Sequence, residues 1–268
     1  SRNPSFVPST MQDASLSSRE VATFFTRLAE VRPAKTVAKA WIVDNYHHFH
    51  FGLAERGGYL YSSLATSITG EAVGINGPNP PNRGTVLRID PKAYNPSMPM
   101  ANVEFLTGGH RTPNGIEFGP HGLLLVGENQ GAWQPANKIN VVTPGGFYGH
   151  YNNTAFKNAE YPNGGIPGPF DEQPLEQPAL YLPQNEIANS PAQSVVIPDG
   201  EFKDHLLISD VKYGGLRRAW LEEVDGQWQG GVVQHSQGFE CGTNRLEWGP
   251  DGALYVGGIG ATETWAST

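Results

Sequence analysis

The chain has 268 residues, of which 38% are hydrophobic and only 16% are charged, which is enough apolar material for one large domain or two small ones. The formal charge of −8 and the lack of any Lys/Arg cluster argue against nucleic acid or anionic lipid as a partner. A single cysteine excludes an internal disulfide framework and a multi-cysteine zinc site, and no apolar run is long enough to predict a membrane span.

Residues 1–44 contain the one segment whose apolar residues have helical spacing. Ser18 could begin a helix, because Val21, Phe24 and Leu28 lie three and four residues apart. The same stretch is rich in β-formers, so a strand fits it about as well. We therefore expect residues 1–44 to be a separate N-terminal segment, either a short helix or part of a sheet.

The rest of the chain, residues 45–268, has the pattern of an all-β domain. Short apolar runs between turn residues are typical of strands joined by turns rather than of alternating strands and helices. The predicted strands are residues 58–64, 84–89, 115–118, 123–127, 138–142, 205–209, 215–221, 230–235, 244–248 and 253–257. Two segments rich in Pro, Gly and Asn, residues 67–83 and 151–183, are predicted to be long loops.

One nine-residue phrase occurs twice, 130 residues apart. Phe118-Gly-Pro-His-Gly-Leu-Leu-Leu-Val126 and Trp248-Gly-Pro-Asp-Gly-Ala-Leu-Tyr-Val256 each predict a strand, a tight turn and a second strand. Looser copies begin at Phe51 and Val196. A hairpin alone cannot bury both faces, so copies at blade-sized intervals predict a β-propeller of four-stranded antiparallel blades. The alternative is a β-sandwich with two similar hairpins.

Four hairpins are few for this fold, since propellers with four blades are uncommon. The chain also ends a few residues after a predicted strand, where a blade would normally continue. We therefore expect the propeller of residues 45–268 to be truncated at its C-terminus, with further blades supplied elsewhere.

Cations and amides recur at the ends of the predicted hairpins. Arg111 and Asn114 lie at the start of the second hairpin, Lys212 follows the third and Arg245 begins the fourth. In an acidic chain, cations at matching positions predict an anion pocket on one face of the propeller. Each of them, taken alone, could equally be a surface salt-bridge partner.

Longer motifs surround these hairpins in a definite order. They include Gly109-His-Arg-Thr-Pro-Asn-Gly115, Asn140-Val-Val-Thr-Pro-Gly-Gly-Phe-Tyr-Gly149, Lys212-Tyr-Gly-Gly-Leu-Arg-Arg218 and the phrase beginning at Asn244. Together they resemble the quinoprotein glucose/sorbosone dehydrogenase family over about residues 45–260. The closest variant is the large secreted bacterial type, in which such a propeller accompanies a haem domain.

The resemblance implies a six-bladed propeller that binds pyrroloquinoline quinone (PQQ) and Ca²⁺ and oxidises a sugar or related alcohol by hydride transfer to the Ca-bound quinone. It implies that His47 is the catalytic base and that Arg111 lies beside the quinone oxygens. The cofactor-binding positions that it implies are Arg111, Thr112, Asn114, Lys212, Asn244 and Arg245, and the calcium loop is Glu128, Asn129, Gln130 and Gly131. It further implies a cytochrome c or haem electron acceptor, and the composition favours a secreted or periplasmic protein.

The sequence departs from the family pattern at three places. Thr112 stands where the family has asparagine, Asn129-Gln130-Gly131 replaces His-Gly-Pro, and Arg245 lacks its partner arginine. Cofactor binding is therefore less firmly implied than the fold.

Two other functions fit a propeller with these residues. A Ca-dependent lactonase or esterase would use Asn114, Asn189 and Glu128 as direct metal ligands and would need no cations beside them. A non-catalytic glycan-binding or structural module would use loop aromatics such as Trp133 and Tyr148 to stack on sugar rings.

Overall fold

The computed structural model describes residues 49–66, 83–131, 136–150 and 174–259, all of which belong to the unit Val37–Thr268. The predicted N-terminal helix or strand and the candidate base His47 lie outside the described residues. Within these ranges no helix is both long and apolar enough to cross a membrane.

Fourteen β-strands make up most of the regular structure of the described residues. They are β1 (His50–Arg56), β2 (Tyr59–Leu64), β3 (Thr85–Ile89), β4 (Val103–Phe105), β5 (Pro113–Phe118), β6 (Leu124–Glu128), β7 (Ala136–Val141), β8 (Leu180–Pro183), β9 (Pro191–Val196), β10 (Leu206–Asp210), β11 (Leu216–Val224), β12 (Gln227–Ser236), β13 (Thr243–Trp248) and β14 (Leu254–Gly258). A short 3-10 turn, Pro120–Gly122, joins β5 to β6. All ten strands predicted from the sequence are present, which confirms those predictions.

The strands form sheets of consecutive antiparallel strands that we call blades. The first blade is β1-β2-β3-β4, the second is β5-β6-β7-β8 and the third is β9-β10-β11-β12, while β13 and β14 belong to a fourth. The opening strands β1, β5, β9 and β13 contact one another in that order. Sheets arranged side by side around their opening strands form a β-propeller, so the predicted fold is confirmed. Each predicted hairpin is the first pair of strands in a blade.

Apolar side chains hold neighbouring blades together. Leu125 and Ile139 of the second blade pack with Leu206 and Ile208 of the third in one buried cluster. Similar clusters join the first blade to the second and the third to the fourth. Full burial of each such side chain contributes about 1.5–3 kcal/mol, so the interfaces between blades stabilise the ring.

Gly115 allows the second and third blades to approach closely. A Cβ atom at this position would lie only 2.0 Å from the carbonyl oxygen of Ala192 in β9. No side chain fits in that space, so glycine is required where β5 passes β9.

Candidate functional site

The predicted site residues that the structure describes lie at one end of the propeller. The opening strand of each blade begins where its antiparallel neighbour ends, so the loops before β5, β9 and β13 and after β6 and β10 share this end, which we call the upper face. The hydrogen bonds that tie neighbouring blades there are Thr66 N to Arg111 O, Asn129 Nδ2 to Ser190 Oγ and Asp210 N to Thr243 Oγ1. The upper face is therefore one continuous surface across four blades.

Two asparagines meet because equivalent bulges interrupt β5 and β13. The register of β5 with β6 shifts at Asn114, and that of β13 with β14 shifts at Asn244. A bulge turns the extra residue out of the regular alternation of the strand. Asn114 Nδ2 donates to Asn244 Oδ1 at 3.2 Å, although β9 lies between their strands around the ring. Their side chains therefore meet near the propeller axis.

Arg245 completes what we call the axial cluster, which is Asn114, Asn244 and Arg245. Both terminal nitrogens of its guanidinium donate to Asn114 Oδ1 at 3.2 Å, and Nη1 also donates to Asn244 Oδ1 at 2.9 Å. A cavity of about 200 Å³ adjoins it, lined by Gly52, Leu53, Ile116, Gln193, Arg245 and Glu247. These residues come from all four opening strands.

The charge of Arg245 has no partner within the described residues. Partial burial lowers its pKa, and the guanidinium makes no ion pair there, although the Glu247 carboxylate lines the same cavity. A guanidinium nevertheless keeps its charge in proteins. Even the partial burial of a charge without an ion pair costs free energy, which an anionic guest at the axial cluster would offset.

Arg111 forms a second group of contacts on the upper face, just before β5. Its Nη1 donates to the carbonyl oxygen of Gln130 at 2.7 Å and reaches Thr112 Oγ1 at 3.5 Å. Its Cδ lies 2.2 Å from where a Cβ on Gly131 would stand, so only glycine allows this contact. The structure thus brings together Arg111, Thr112, Gln130 and Gly131, which we call the Arg111 cluster.

Glu128 lies completely buried beneath Arg111. Its carboxylate accepts hydrogen bonds from the main-chain N–H of Arg111, from His110 Nδ1 at 2.8 Å and from Asn140 Nδ2 at 2.9 Å. Burial raises the pKa of Glu128, but His110, Lys138 and the Arg111 N–H together lower it to about 2. The charged carboxylate therefore holds the loop that carries Arg111, and both of its oxygens face donors inside the blade.

Further polar groups surround this carboxylate. Lys138 is buried and donates from Nζ to the carbonyl oxygen of Tyr148 at 2.8 Å. Burial, helped by Arg111 and Lys138, lowers the pKa of His150 to about 4, so its ring is neutral at pH 7. Within the described residues, His150 Nδ1 and Asn129 Oδ1 are buried without a hydrogen-bond partner. His110, Lys138 and His150 are not among the site residues predicted from the sequence, although His110 lies inside the motif Gly109–Gly115.

Lys212 lies in the turn after β10, also at the upper face. Its main-chain N–H donates to Asp210 Oδ1 at 3.0 Å and to the Asn189 carbonyl oxygen at 3.2 Å, and the residue is half-buried. The three cations predicted from the sequence, Arg111, Lys212 and Arg245, therefore share one end of the molecule.

The sequence as a whole matches a protein-family model described as glucose/sorbosone dehydrogenase over residues 22–261. The chain belongs to the glucose/sorbosone dehydrogenase family. The matched region contains the axial cluster, the Arg111 cluster and Lys212, so all of these positions lie within the family's domain. No curated protein sequence matches the chain significantly.

Solved structures share the fold of this glucose/sorbosone dehydrogenase family member. One glucose dehydrogenase structure aligns with a TM-score of 0.52 and 22% identity, covering 76% of this chain and 59% of its own. A second glucose dehydrogenase structure gives 0.51 and 20%, covering 80% and 60%. The PQQ-bound form of aldose sugar dehydrogenase from Streptomyces coelicolor gives 0.50 and 16%, covering 81% and 60%. The chain thus spans about three-fifths of the length of these structures.

The ligand set expected for a lactonase is not assembled in the described part of this family member. Asn114 bonds to Asn244, Asn189 Nδ2 donates to Asn185 Oδ1, and the Glu128 carboxylate is engaged inside its blade. No group of three His, Cys, Asp or Glu residues that could hold a metal occurs among the described residues.

Proposed function

We propose that the chain is a quinoprotein oxidoreductase that binds PQQ and Ca²⁺ at the upper face and oxidises a sugar or related alcohol. The observation that carries this proposal is Arg245, a half-buried guanidinium near the propeller axis that makes no ion pair with a carboxylate within the described residues. Membership of the glucose/sorbosone dehydrogenase family and the PQQ-bound structural relative support it.

The cations of the upper face suit a tricarboxylate such as PQQ. Arginine binds carboxylates with two parallel charge-assisted hydrogen bonds, and lysine supplies a point charge. We assign the cofactor's carboxylates and carbonyls to Arg111, Lys212 and Arg245. Asn114, Asn244 and Thr112 are the neutral donors and acceptors beside them.

The loop after β6 is our candidate calcium site. Asn129 Oδ1 is a buried oxygen without a hydrogen-bond partner, which is the type of donor that a hard cation requires. The main-chain carbonyls of Gln130 and Gly131 would supply further oxygens. Arg111 now donates to the Gln130 carbonyl, so Ca²⁺ at that oxygen requires the guanidinium to turn toward the cofactor. Because the Glu128 oxygens are engaged elsewhere, we assign that residue to holding the loop.

His47 is the proposed catalytic base. When bound, the quinone supplies the hydride acceptor and Ca²⁺ polarises its carbonyl. A neutral histidine would take the proton from the sugar hydroxyl as hydride leaves the adjacent carbon, a contribution of about a hundredfold or more. We expect His47→Ala to lower kcat by at least that factor in the reconstituted enzyme. The exposed His235→Ala is the matched control, and unaltered turnover of His47→Ala would reject the assignment.

Reconstitution tests the function as a whole. The purified full-length protein is titrated with PQQ, with and without CaCl₂, while absorbance and dye reduction are followed with a panel of aldoses. We expect dye reduction only when both PQQ and Ca²⁺ are present. An unchanged quinone spectrum, or lactone hydrolysis without quinone, would refute the proposal. Cytochrome c as the acceptor and cell fractionation test the proposed electron partner and the secreted or periplasmic location.

A further inference from the structure

A cavity of about 940 Å³ opens beside the third blade, at the same end as the upper face. It lies between the loop before β9, the turn after β10 and the loop before β13. The lining residues that matter here are Asn185, Tyr213, Arg217, Gln234, Gln237 and Glu240. We infer that this cavity binds the neutral, polyhydroxylated chain of an oligosaccharide, and that the substrate is therefore longer than a monosaccharide.

Two of the three walls of the cavity, the loop before β9 and the turn after β10, are joined by hydrogen bonds. Arg217 donates from Nε to the Ile187 carbonyl at 2.7 Å and from Nη1 to the Gly214 carbonyl, which joins the loop before β9 to the turn after β10. Tyr213 Oη donates to Asn185 Oδ1 at 2.8 Å across the same gap. A cavity that is largely formed before binding is typical of small-molecule sites.

Other polar groups at the cavity remain available to a ligand. Within the described residues, the side chains of Glu186, Gln237 and Glu240 make no hydrogen bond, although all three line the cavity. Glu240 also has a left-handed backbone, with φ of 57°, as does Asn185 with φ of 66°. This conformation is uncommon for glutamate, and such residues are concentrated at ligand sites.

The lining favours a neutral polyol over other ligands. Glu186 and Glu240 would repel an anion, and Arg217, the single cation among the described lining residues, is already bonded to two carbonyls. Tyr213 is the one aromatic residue in the same lining, which suits the face of a sugar but not a large apolar molecule. Amides and carboxylates both bond to hydroxyl groups. The volume is near the upper end of the usual range for ligand pockets, roughly 300–1,000 Å³, which leaves room for several sugar units.

The cavity adjoins the candidate cofactor site along the chain. Lys212, one of the three cations assigned to the cofactor, is followed directly by Tyr213 of the cavity in the turn after β10. A sugar oxidised at the upper face could therefore extend into the cavity. That the oligosaccharide in the cavity is part of the oxidised substrate rests on the proposed function, whereas oligosaccharide binding to the cavity does not.

Calorimetry on the full-length protein without cofactor tests the binding. We expect maltotriose or cellotriose to bind at least tenfold more tightly than glucose, and trigalacturonate to bind less tightly than either neutral trisaccharide. Gln237→Ala combined with Glu240→Gln should weaken trisaccharide binding about fivefold to tenfold, the effect of losing one or two hydrogen bonds. Gln227→Ala, an exposed amide on the same sheet, should leave it unchanged. Trisaccharides that bind no better than glucose, or equally well to the double variant, would overturn the inference.

Kinetics separate this inference from the proposed function. In the reconstituted enzyme the double variant should raise KM for the trisaccharide severalfold while KM for glucose and kcat stay unchanged. Quinone-dependent oxidation of glucose without a trisaccharide preference would refute only the cavity assignment. Trisaccharide binding by a protein without quinone-dependent activity would support the cavity and refute only the redox function.

Discussion

Replacing Glu128 with glutamine tests whether a buried charge holds the Arg111 cluster in place. Burial raises the pKa of this carboxyl, but the opposing effect of His110, Lys138 and the Arg111 N–H is larger, so the pKa falls from 4.5 to about 2. Each pKa unit by which a group differs between the folded and the unfolded chain corresponds to about 1.4 kcal/mol of stability. The charged form of Glu128 therefore stabilises the fold by about 3 kcal/mol at neutral pH.

The pH range of this effect follows from the two pKa values. The stabilisation is complete above pH 4.5 and is lost as the pH falls toward about 2, where the folded protein also binds the proton. His150 causes an earlier loss, because burial and the nearby cations lower its pKa from 6.5 to about 4. As the pH falls below 6.5, His150 binds a proton in the unfolded chain but not in the folded one. The free energy of unfolding therefore also decreases between pH 6.5 and 4.

Urea unfolding, followed by tryptophan fluorescence at neutral pH and in steps down to about pH 3, measures both effects. We expect Glu128→Gln to lower the free energy of unfolding by about 3 kcal/mol at neutral pH and to lose less stability below pH 4.5 than the native protein. Glu104→Gln removes an exposed carboxylate paired with Arg88 and should cost less than about 1 kcal/mol.

Two outcomes would contradict a stabilising role for the Glu128 charge. One is an unfolding free energy for Glu128→Gln within about 0.5 kcal/mol of the native value at neutral pH. The other is an acid dependence below pH 4.5 that the substitution leaves unchanged. Either result would show that the buried carboxylate does not contribute its charge to stability.

Three further changes have definite expected outcomes. Arg245→Ala should weaken PQQ binding in a spectroscopic titration by roughly tenfold to a hundredfold, the value of hydrogen bonds to a charged group, whereas the exposed Lys203→Ala should not. Gly115→Ala should lower the free energy of unfolding by about 3 kcal/mol, because the new Cβ meets the Ala192 carbonyl, while Gly257→Ala should cost far less. Chelation by EDTA should abolish dye reduction by the reconstituted enzyme, and added CaCl₂ should restore it; full activity in excess EDTA would contradict the calcium assignment.

The fold could be predicted from the sequence because its signals are local. The phrases that begin at Phe118 and Trp248 contain a turn and two apolar runs within nine residues, so each hairpin can be recognised without knowing its neighbours. The list of predicted strands lacks β1, β4, β8 and β9; β1 and β9 enter only as the first strands of the looser hairpins, and β8 lies in the segment 151–183 predicted to be a loop. Two of these, β4 and β8, have only three and four residues, and β9 begins with proline and contains Gln193 and Ser194, which weaken the apolar pattern.

The site was less predictable because its geometry depends on contacts between blades. The pattern around Arg111, Asn114 and Arg245 indicates one shared face, but the contact of Asn114 with Asn244 depends on two bulges, which arise from pairing with neighbouring strands. A lysine such as Lys138 is expected at the surface, so the sequence does not predict its burial. In the structure it is buried, and its Nζ donates to the carbonyl oxygen of Tyr148, a residue beyond the end of the same strand.

The axial cluster shows how a repeated fold can form a site that is not repeated. Asn114 and Asn244 are separated by 130 residues, as are the hairpin phrases, so they occupy equivalent positions in the second and fourth blades. In the third blade the equivalent position is Ala192. It follows Pro191, which pairs with Asp210 at the end of β10. The second and fourth blades therefore each contribute an asparagine to the axial cluster, and the third blade does not.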